Sequence, residues 1–319
     1  MSGVVRTFLV CLAVAGVLSL CACGSKGQLT MRAYEKPEPV ASLTAVHRED
    51  VVTLAWSYPA AERSFISGFI IERAEPGKPF SRVVLLPSEA SSYIEKNYSA
   101  GSVYEYRVLA VSRKDRISDV IPPLRVAPRV LPAPPATVKA EVVNEGVELS
   151  WGAVGGDDTR YNVYRSAVRG ACAVSAAVNS TPLPETKLRE VVSPLGTVYY
   201  CVRSLYATPL LDEGFASAEV AVEPYQYVPG RVEDLRGIAT PRGVQLVWRE
   251  RPEQWVKQYR VYRKDVRSTA LSLIGESAVP AFLDMTPSGE AASYTVEAVG
   301  PVVVGQRSAE LHVAPLEKD

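Results

Sequence analysis

Three stretches of this chain repeat one pattern, and the repeat constrains the fold more than any other feature. Each copy opens on Leu-x-Trp: Leu54-Ala55-Trp56, Leu149-Ser150-Trp151 and Leu246-Val247-Trp248. An aromatic-x-aliphatic-x-Arg run follows: Phe69, Ile71, Arg73; Tyr161, Val163, Arg165; Tyr259, Val261, Arg263. Then comes one acidic residue, Glu95, Glu190 or Asp284. Each copy closes on Tyr-x-Val-x-small: Tyr106, Val108, Ala110; Tyr200, Val202, Ser204; Tyr294, Val296, Ala298. The three tyrosines are 94 residues apart (200 − 106 and 294 − 200). A period this regular means three copies of one supersecondary unit.

Within each copy the apolar residues alternate with polar ones. A period of two places Leu and Trp on one face of a strand, and Tyr and Val on one face of a later strand. Two such faces packed together form a β-sandwich core. Burying each large apolar side chain contributes about 1.5–3 kcal/mol. No segment keeps a 3.6-residue period, so very little helix is expected. At these residues the chain resembles the fibronectin type III family, with its core Trp on the second strand and its Tyr-x-Val-x-Ala strand near the end. Proline-rich entries precede the copies: Pro37 and Pro39; Pro132, Pro134 and Pro135; Pro224 and Pro229. The resemblance covers nearly all of residues 38–316 and implies an all-β chain of three tandem fibronectin type III-like (immunoglobulin-like) sandwiches, at 38–129, 130–226 and 227–316. It implies little about function, because sandwiches of this kind serve many roles. The second copy departs most: Cys201 interrupts its Tyr-x-Val strand, and residues 167–187 form a long insertion of small residues.

The N-terminus adds an address. Arg6 precedes an apolar run from Phe8 to Leu20, which ends in Leu20-Cys21-Ala22-Cys23. A positive start, a short apolar run and a small residue before cysteine form the pattern of a bacterial lipoprotein signal. The expectation is a signal peptide at 1–22, lipidation at Cys23 and a polar tether at 23–37. Gly24 and Ser25 follow the cysteine, with no aspartate to retain the protein at the inner membrane. That favours the outer membrane, facing the periplasm, with acyl chains as the anchor. The start Cys23-Gly24-Ser25-Lys26-Gly27-Gln28-Leu29 is also similar to the Cys-Gly-x-Lys-Gly-Pro-Leu start of short outer-membrane lipoproteins that assist maturation of the lipopolysaccharide translocon. Gln28 stands where that family has proline. The likeness implies contact with an outer-membrane barrel assembly.

Composition excludes more than it assigns. The formal net charge is zero, so no global field gathers nucleic acid. Of the five cysteines, Cys11 and Cys21 leave with the signal peptide and Cys23 takes lipid. Cys172 and Cys201 remain, and in an oxidising compartment they either pair in a disulfide or stand apart as separate thiols. The two histidines, His47 and His312, lie near opposite ends and read as ordinary surface or strand residues. No catalytic residue, metal ligand set or cofactor motif is expected, and the chain reads as a non-enzyme. Recurrence in all three copies gives Glu95, Glu190 and Asp284 a structural role at a strand end. Arg73, Arg165 and Arg263 read as stems that cover apolar surface while their heads meet solvent.

Binding candidates come from apolar residues where loops are expected. Tyr206, Leu210 and Leu211 lie in an apolar loop after the second Tyr-x-Val strand, with Phe215 close behind. Val303 lies in the matching loop of the third copy, and the alternative for Leu210 and Val303 is that they fold back on a neighbouring domain. Trp255, the Trp outside the repeat, sits in a polar stretch as either a partner anchor or a lid on its own sandwich. Tyr164 and Tyr262 share one outward strand position, which suits a sugar ring. The expected work is protein–protein binding or scaffolding with an envelope partner; the alternative is carbohydrate contact.

Overall fold

The computed structural model describes residues 34–191, 195–207, 209–287 and 289–316. The signal peptide, Cys23 and the 23–29 motif lie outside the described residues. The chain falls into two compact units. One holds the residues through Ala45, Thr53–Tyr98 and Ser102–Ala127; the other holds Val46–Val52, Ser99–Gly101 and the chain from Pro128 onward.

The first unit contains the first sandwich. Its strands are β1 (Ser42–Arg48), β2 (Val51–Ser57), β3 (Ile66–Ala74), β4 (Ser81–Pro87), β5 (Ser92–Glu95), β6 (Tyr104–Ser112) and β7 (Leu124–Val126). They form one sheet in the order β1-β2-β5 and another in the order β4-β3-β6-β7. Leu54, Phe69, Ile71, Tyr106, Val108 and Ala110 face inward and are almost fully buried. The tip of the β1–β2 hairpin belongs to the second unit.

The second unit contains two sandwiches. The third sandwich has the same plan as the first. Its strands are β15 (Arg236–Thr240), β16 (Gly243–Val247), β17 (Gln258–Asp265), β18 (Ser272–Ser277), β19 (Ala281–Asp284), β20 (Ala292–Val299) and β21 (Leu311–Val313). The sheets run β15-β16-β19 and β18-β17-β20-β21. The second sandwich uses β8 (Lys139–Val143), β9 (Gly146–Ser150), β10 (Thr159–Ser166), β11 (Lys187–Glu190), β12 (Val198–Tyr206), β13 (Leu211–Ala216) and β14 (Val220–Val222). β11-β9-β8 is one sheet; in the other, β12 pairs with β10, β13 and β14. The chain is therefore an all-β tandem of three sandwiches. Among the described residues its helix is limited to short 3₁₀ turns at Ala60–Phe65, Cys172–Val174 and Pro224–Gln226, besides a residue at Tyr34.

The repeated residues build the same core each time. Trp56, Trp151 and Trp248 each meet the first aromatic of the next repeated strand edge-on, at 5.4 Å (Phe69), 5.5 Å (Tyr161) and 5.3 Å (Tyr259). T-shaped pairs of this kind add to plain area burial. Where the aromatic is tyrosine, its hydroxyl accepts a backbone N–H: Val154 to Tyr161 at 2.8 Å, Arg251 to Tyr259 at 2.9 Å. Gly146 and Gly243, at φ +148° and +135°, open β9 and β16. A Cβ at either would press on the carbonyl of Glu190 or Asp284, so glycine is required for the strand to approach that acid.

The second sandwich departs where the insertion replaces a strand. Residues 167–186 touch β10 at two isolated bridges, Tyr161–Leu183 and Tyr164–Ala177. Cys172 and Cys201 are joined in a disulfide, with Cα atoms 6.0 Å apart. This fastens the Cys172–Val174 turn to β12, and both cysteines are fully buried with Tyr164. β12 shifts register between Arg203 and Leu205 against β13. β13 in turn pairs in parallel with the end of β1, placing Val46, His47 and Arg48 opposite Leu211, Asp212 and Glu213.

Candidate functional site

The recurring charged residues form one structural clasp in each sandwich. Arg73 Nη1 donates to Glu95 Oε2 at 3.1 Å, and Arg263 Nη1 to Asp284 Oδ2 at 2.9 Å; Arg165 donates to Glu190 in the same way. The hydroxyls of Tyr200 and Tyr294 donate to the same acids, each at 2.9 Å. The arginine comes from one sheet and the acid from the other, so the clasp joins the two layers. The arginine heads were expected to meet solvent. Arg165 does, with its side chain 43% exposed, whereas Arg73 and Arg263 are held on buried carboxylates and the Arg263 side chain is only 15% exposed. Burial pushes the Tyr106 phenol up to about 12, and burial followed by the neighbouring carboxylate raises Tyr200 and Tyr294 as well. Burial alone would raise Asp284, but Arg263, the Thr286 N–H and the Tyr294 hydroxyl outweigh it and hold the carboxyl below its usual range. In the second and third sandwiches the acid is thus taken up by an arginine and a phenol.

A second cluster lies where β13 meets the β1 end. His47 is a strand residue, the last but one of β1, and is buried at 1% exposure rather than on the surface. The parallel pairing puts it beside Asp212, with Nδ1 2.6 Å from Oδ1, and Arg129 donates its N–H to that oxygen at 3.1 Å. Glu213 accepts from Arg48 Nε at 2.5 Å, Asn162 Nδ2 at 2.8 Å and the Tyr164 hydroxyl at 2.5 Å. Arg203 donates to the carbonyls of Gly214 (2.7 Å) and Ala173 (3.1 Å) and to Glu49 (2.6 Å). A carboxylate orienting an imidazole also occurs in hydrolytic triads. Here both partners are closed to solvent, so no substrate reaches them.

Most binding residues expected from the sequence are occupied by the fold. Tyr206 and Leu211 are strand residues on β12 and β13, not loop residues. The Arg129 guanidinium lies over the Tyr206 ring at 3.7 Å. Leu210 is buried rather than displayed, while its neighbour Pro209 is exposed. Phe215 stays exposed. Val303 is half-buried, its carbonyl accepting from the Gly300 N–H at 2.9 Å. Trp255 is also half-buried: its ring meets Tyr227 at 5.4 Å and its indole N–H donates to the Val143 carbonyl at 3.1 Å. It closes the second sandwich's core. Tyr164 lies under the insertion and is not outward-facing. Tyr262 is half-buried, with its hydroxyl on Glu297 at 2.7 Å and Arg307 over its ring at 4.4 Å. His312 is exposed on β21, with Nδ1 2.6 Å from the Ser293 hydroxyl. Among the described residues no group of three or more His, Cys, Asp and Glu is placed to hold a metal ion.

The surface that sequence reading missed is the outer face of β15-β16-β19. Cross-strand register lays out two rows, Arg236–Val247–Ala281 and Ile238–Gln245–Leu283. Ile238 is 64% exposed, Val247 41% and Leu283 40%. The matching rows of the second sandwich are Lys139–Ser150–Lys187 and Glu141–Glu148–Arg189. There Arg189 pairs with Glu148 at 2.5 Å, as on an ordinary solvated face. The third sandwich also has a hollow of about 560 Å³ at the turn end of this face, lined by Thr240, Pro241, Arg242, Gln245 and Leu283 among others. The signal was present in the sequence: outward positions of the third copy carry Ile238, Val247 and Leu283 where the second carries Glu141, Ser150 and Arg189.

No family model and no curated protein matches the chain. Solved structures do match, among them the FN1–FN3 domains of chicken CNTN1. That structure is 13% identical, covers 88% of this chain and 99% of its own, and has a TM-score of 0.29.

Proposed function

We propose that this protein is an envelope lipoprotein, held at the periplasmic side of the outer membrane through Cys23, whose three sandwiches act as a protein-binding or scaffolding module. The observation behind this reading is the apolar outer face of β15-β16-β19. Exposed aliphatic side chains gathered on one sheet face and rimmed by polar residues suit an interaction surface. The anchor is supported by the Leu20-Cys21-Ala22-Cys23 pattern, and the 23–29 motif extends the reading to an outer-membrane barrel assembly. The reading contains no catalytic step: the clasps are taken as ties between layers, and the His47–Asp212 pair is closed by burial. It includes no nucleic acid, in keeping with zero net charge.

In-cell crosslinking and pull-down of the full-length protein, beside a Cys23→Ala control, tests it. A defined envelope complex that disappears in the control is the expected result. No complex in either sample would overturn the reading. Replacing Lys26-Gly27-Gln28-Leu29 with a neutral linker tests the narrower assignment, which fails if every partner is retained.

A further inference from the structure

We infer that the outer face of β15-β16-β19 receives an extended segment of a partner protein, one with aliphatic side chains flanked by two carboxylates. The inference rests on the protein-binding reading above and names the partner's chemistry. Three observations carry it.

The first is apolarity in a place with no structural use for it. Ile238, Val247 and Leu283 point away from the core, which is filled by Val244, Leu246, Val261, Tyr294 and Val296 from the other faces. At the equivalent positions, the second sandwich carries Glu141, Ser150 and Arg189. The fold therefore does not require apolar groups there.

The second is charge. Arg236 ends the first row, and Arg242 projects from the turn beyond the second. Both are exposed, and among the described residues neither has a carboxylate partner. Of the acids nearest this face in sequence, Asp284 is buried and already occupied by Arg263 and Tyr294, and Glu233 and Asp234, exposed just before Arg236, are both paired with Arg249. The face thus presents uncompensated cations at its two ends and aliphatic side chains between them. Its complement is apolar in the middle and anionic at the ends.

The third is spacing. β15 advances ~3.4 Å per residue, so the backbone positions of the two arginines are separated by roughly the length of five extended residues. A partner strand with carboxylates an even number of residues apart, about four or six, carries them on one side; with aliphatic residues between on that side it would meet Arg236, Ile238 and Arg242 together, with Leu283 beside it two strands over.

The test is photo-crosslinking in the full-length, lipidated protein in cells. A photoreactive residue replaces Leu283, and in a second strain it replaces Arg189 at the matching position of the second sandwich. The expected result is one polypeptide adduct from position 283 and none from 189. Mass mapping should place the adduct in an acidic–aliphatic segment. Arg236→Glu with Arg242→Glu should lower its yield at least tenfold, and Ile238→Ser should lower it without touching the charges. All substituted residues are exposed, and an unchanged thermal melt confirms that each variant folds. An adduct to a second copy of this chain, an adduct to lipid, or a yield indifferent to charge reversal each overturns the inference. If position 283 yields nothing while the Cys23-dependent complex persists, this docking surface is wrong and the scaffolding reading stands.

Discussion

The second and third sandwiches share an interior and differ in what covers their outer faces. Both pack a Trp edge-on against a Tyr and both close the layers with an Arg–acid–Tyr clasp. Outside, equal residues have unequal fates. Tyr164 and Tyr262 occupy the same position on matching strands, yet Tyr164 is buried beneath a disulfide-held insertion and Tyr262 remains half-exposed. On the opposite sheet the pattern reverses: the second sandwich presents paired charges and the third presents aliphatic side chains. The interior is set by packing and tolerates little change. An outer face is free to change unless something binds it, so the outer faces are where the copies acquire different roles.

The largest effects should come from what the two share. Trp151→Ala and Trp248→Ala should each cost about 3–5 kcal/mol, and chemical denaturation of each variant should show similar losses. A gap of several kcal/mol would break the claim of equal interiors. Next, Glu213→Ala should cost about 3–5 kcal/mol, because it leaves Arg48, Asn162 and Tyr164 facing no buried acid. Glu297→Ala in the third sandwich should cost less, since its partner Arg307 is 49% exposed and regains water. Removing the disulfide with Cys172→Ser and Cys201→Ser should cost about 2–4 kcal/mol. Hydrogen exchange should place the loosening in 167–187 and β12, with the third sandwich unchanged.

The clasp makes a pH prediction with a definite sign. Asp284 is held below its usual value in the folded state. Its contribution is therefore complete above the ordinary carboxylate value of about 4 and is lost as pH falls through the depressed folded value. The stability difference between the native protein and Asp284→Asn should be constant from neutral pH to about 5 and shrink below about 4. A difference that grows on acidification would reverse the assignment. The smallest effect is at the surface: Glu148→Ala, which breaks an exposed pair with Arg189, should cost less than about 1 kcal/mol.

The strands were legible because alternation is local. Leu54-Ala55-Trp56 and its two copies show which side faces inward without reference to anything distant. The clasp was half legible. The arginines and the acids each recur at one place in every copy, and reading their recurrence together would have paired Arg73 with Glu95, 22 residues apart. His47 was not legible, since its partner Asp212 lies 165 residues away and is reached only through parallel pairing with β13. Trp255 and Leu210 are undecided in the sequence for a related reason: an apolar residue outside a strand pattern can be displayed or folded back, and which it is depends on the surface it covers.

By itself, then, the sequence determined the number of sandwiches, their all-β character and the inward side of each strand, because a two-residue period and a threefold repeat are properties of the chain. Only the tertiary structure decided which outward residues stay in water. That depends on what folds over them: the insertion and hairpin tip over Tyr164, the Trp255 ring against Tyr227, and nothing among the described residues over Ile238 and Leu283. Burial is a relation between segments far apart in the chain, and local periodicity does not encode it.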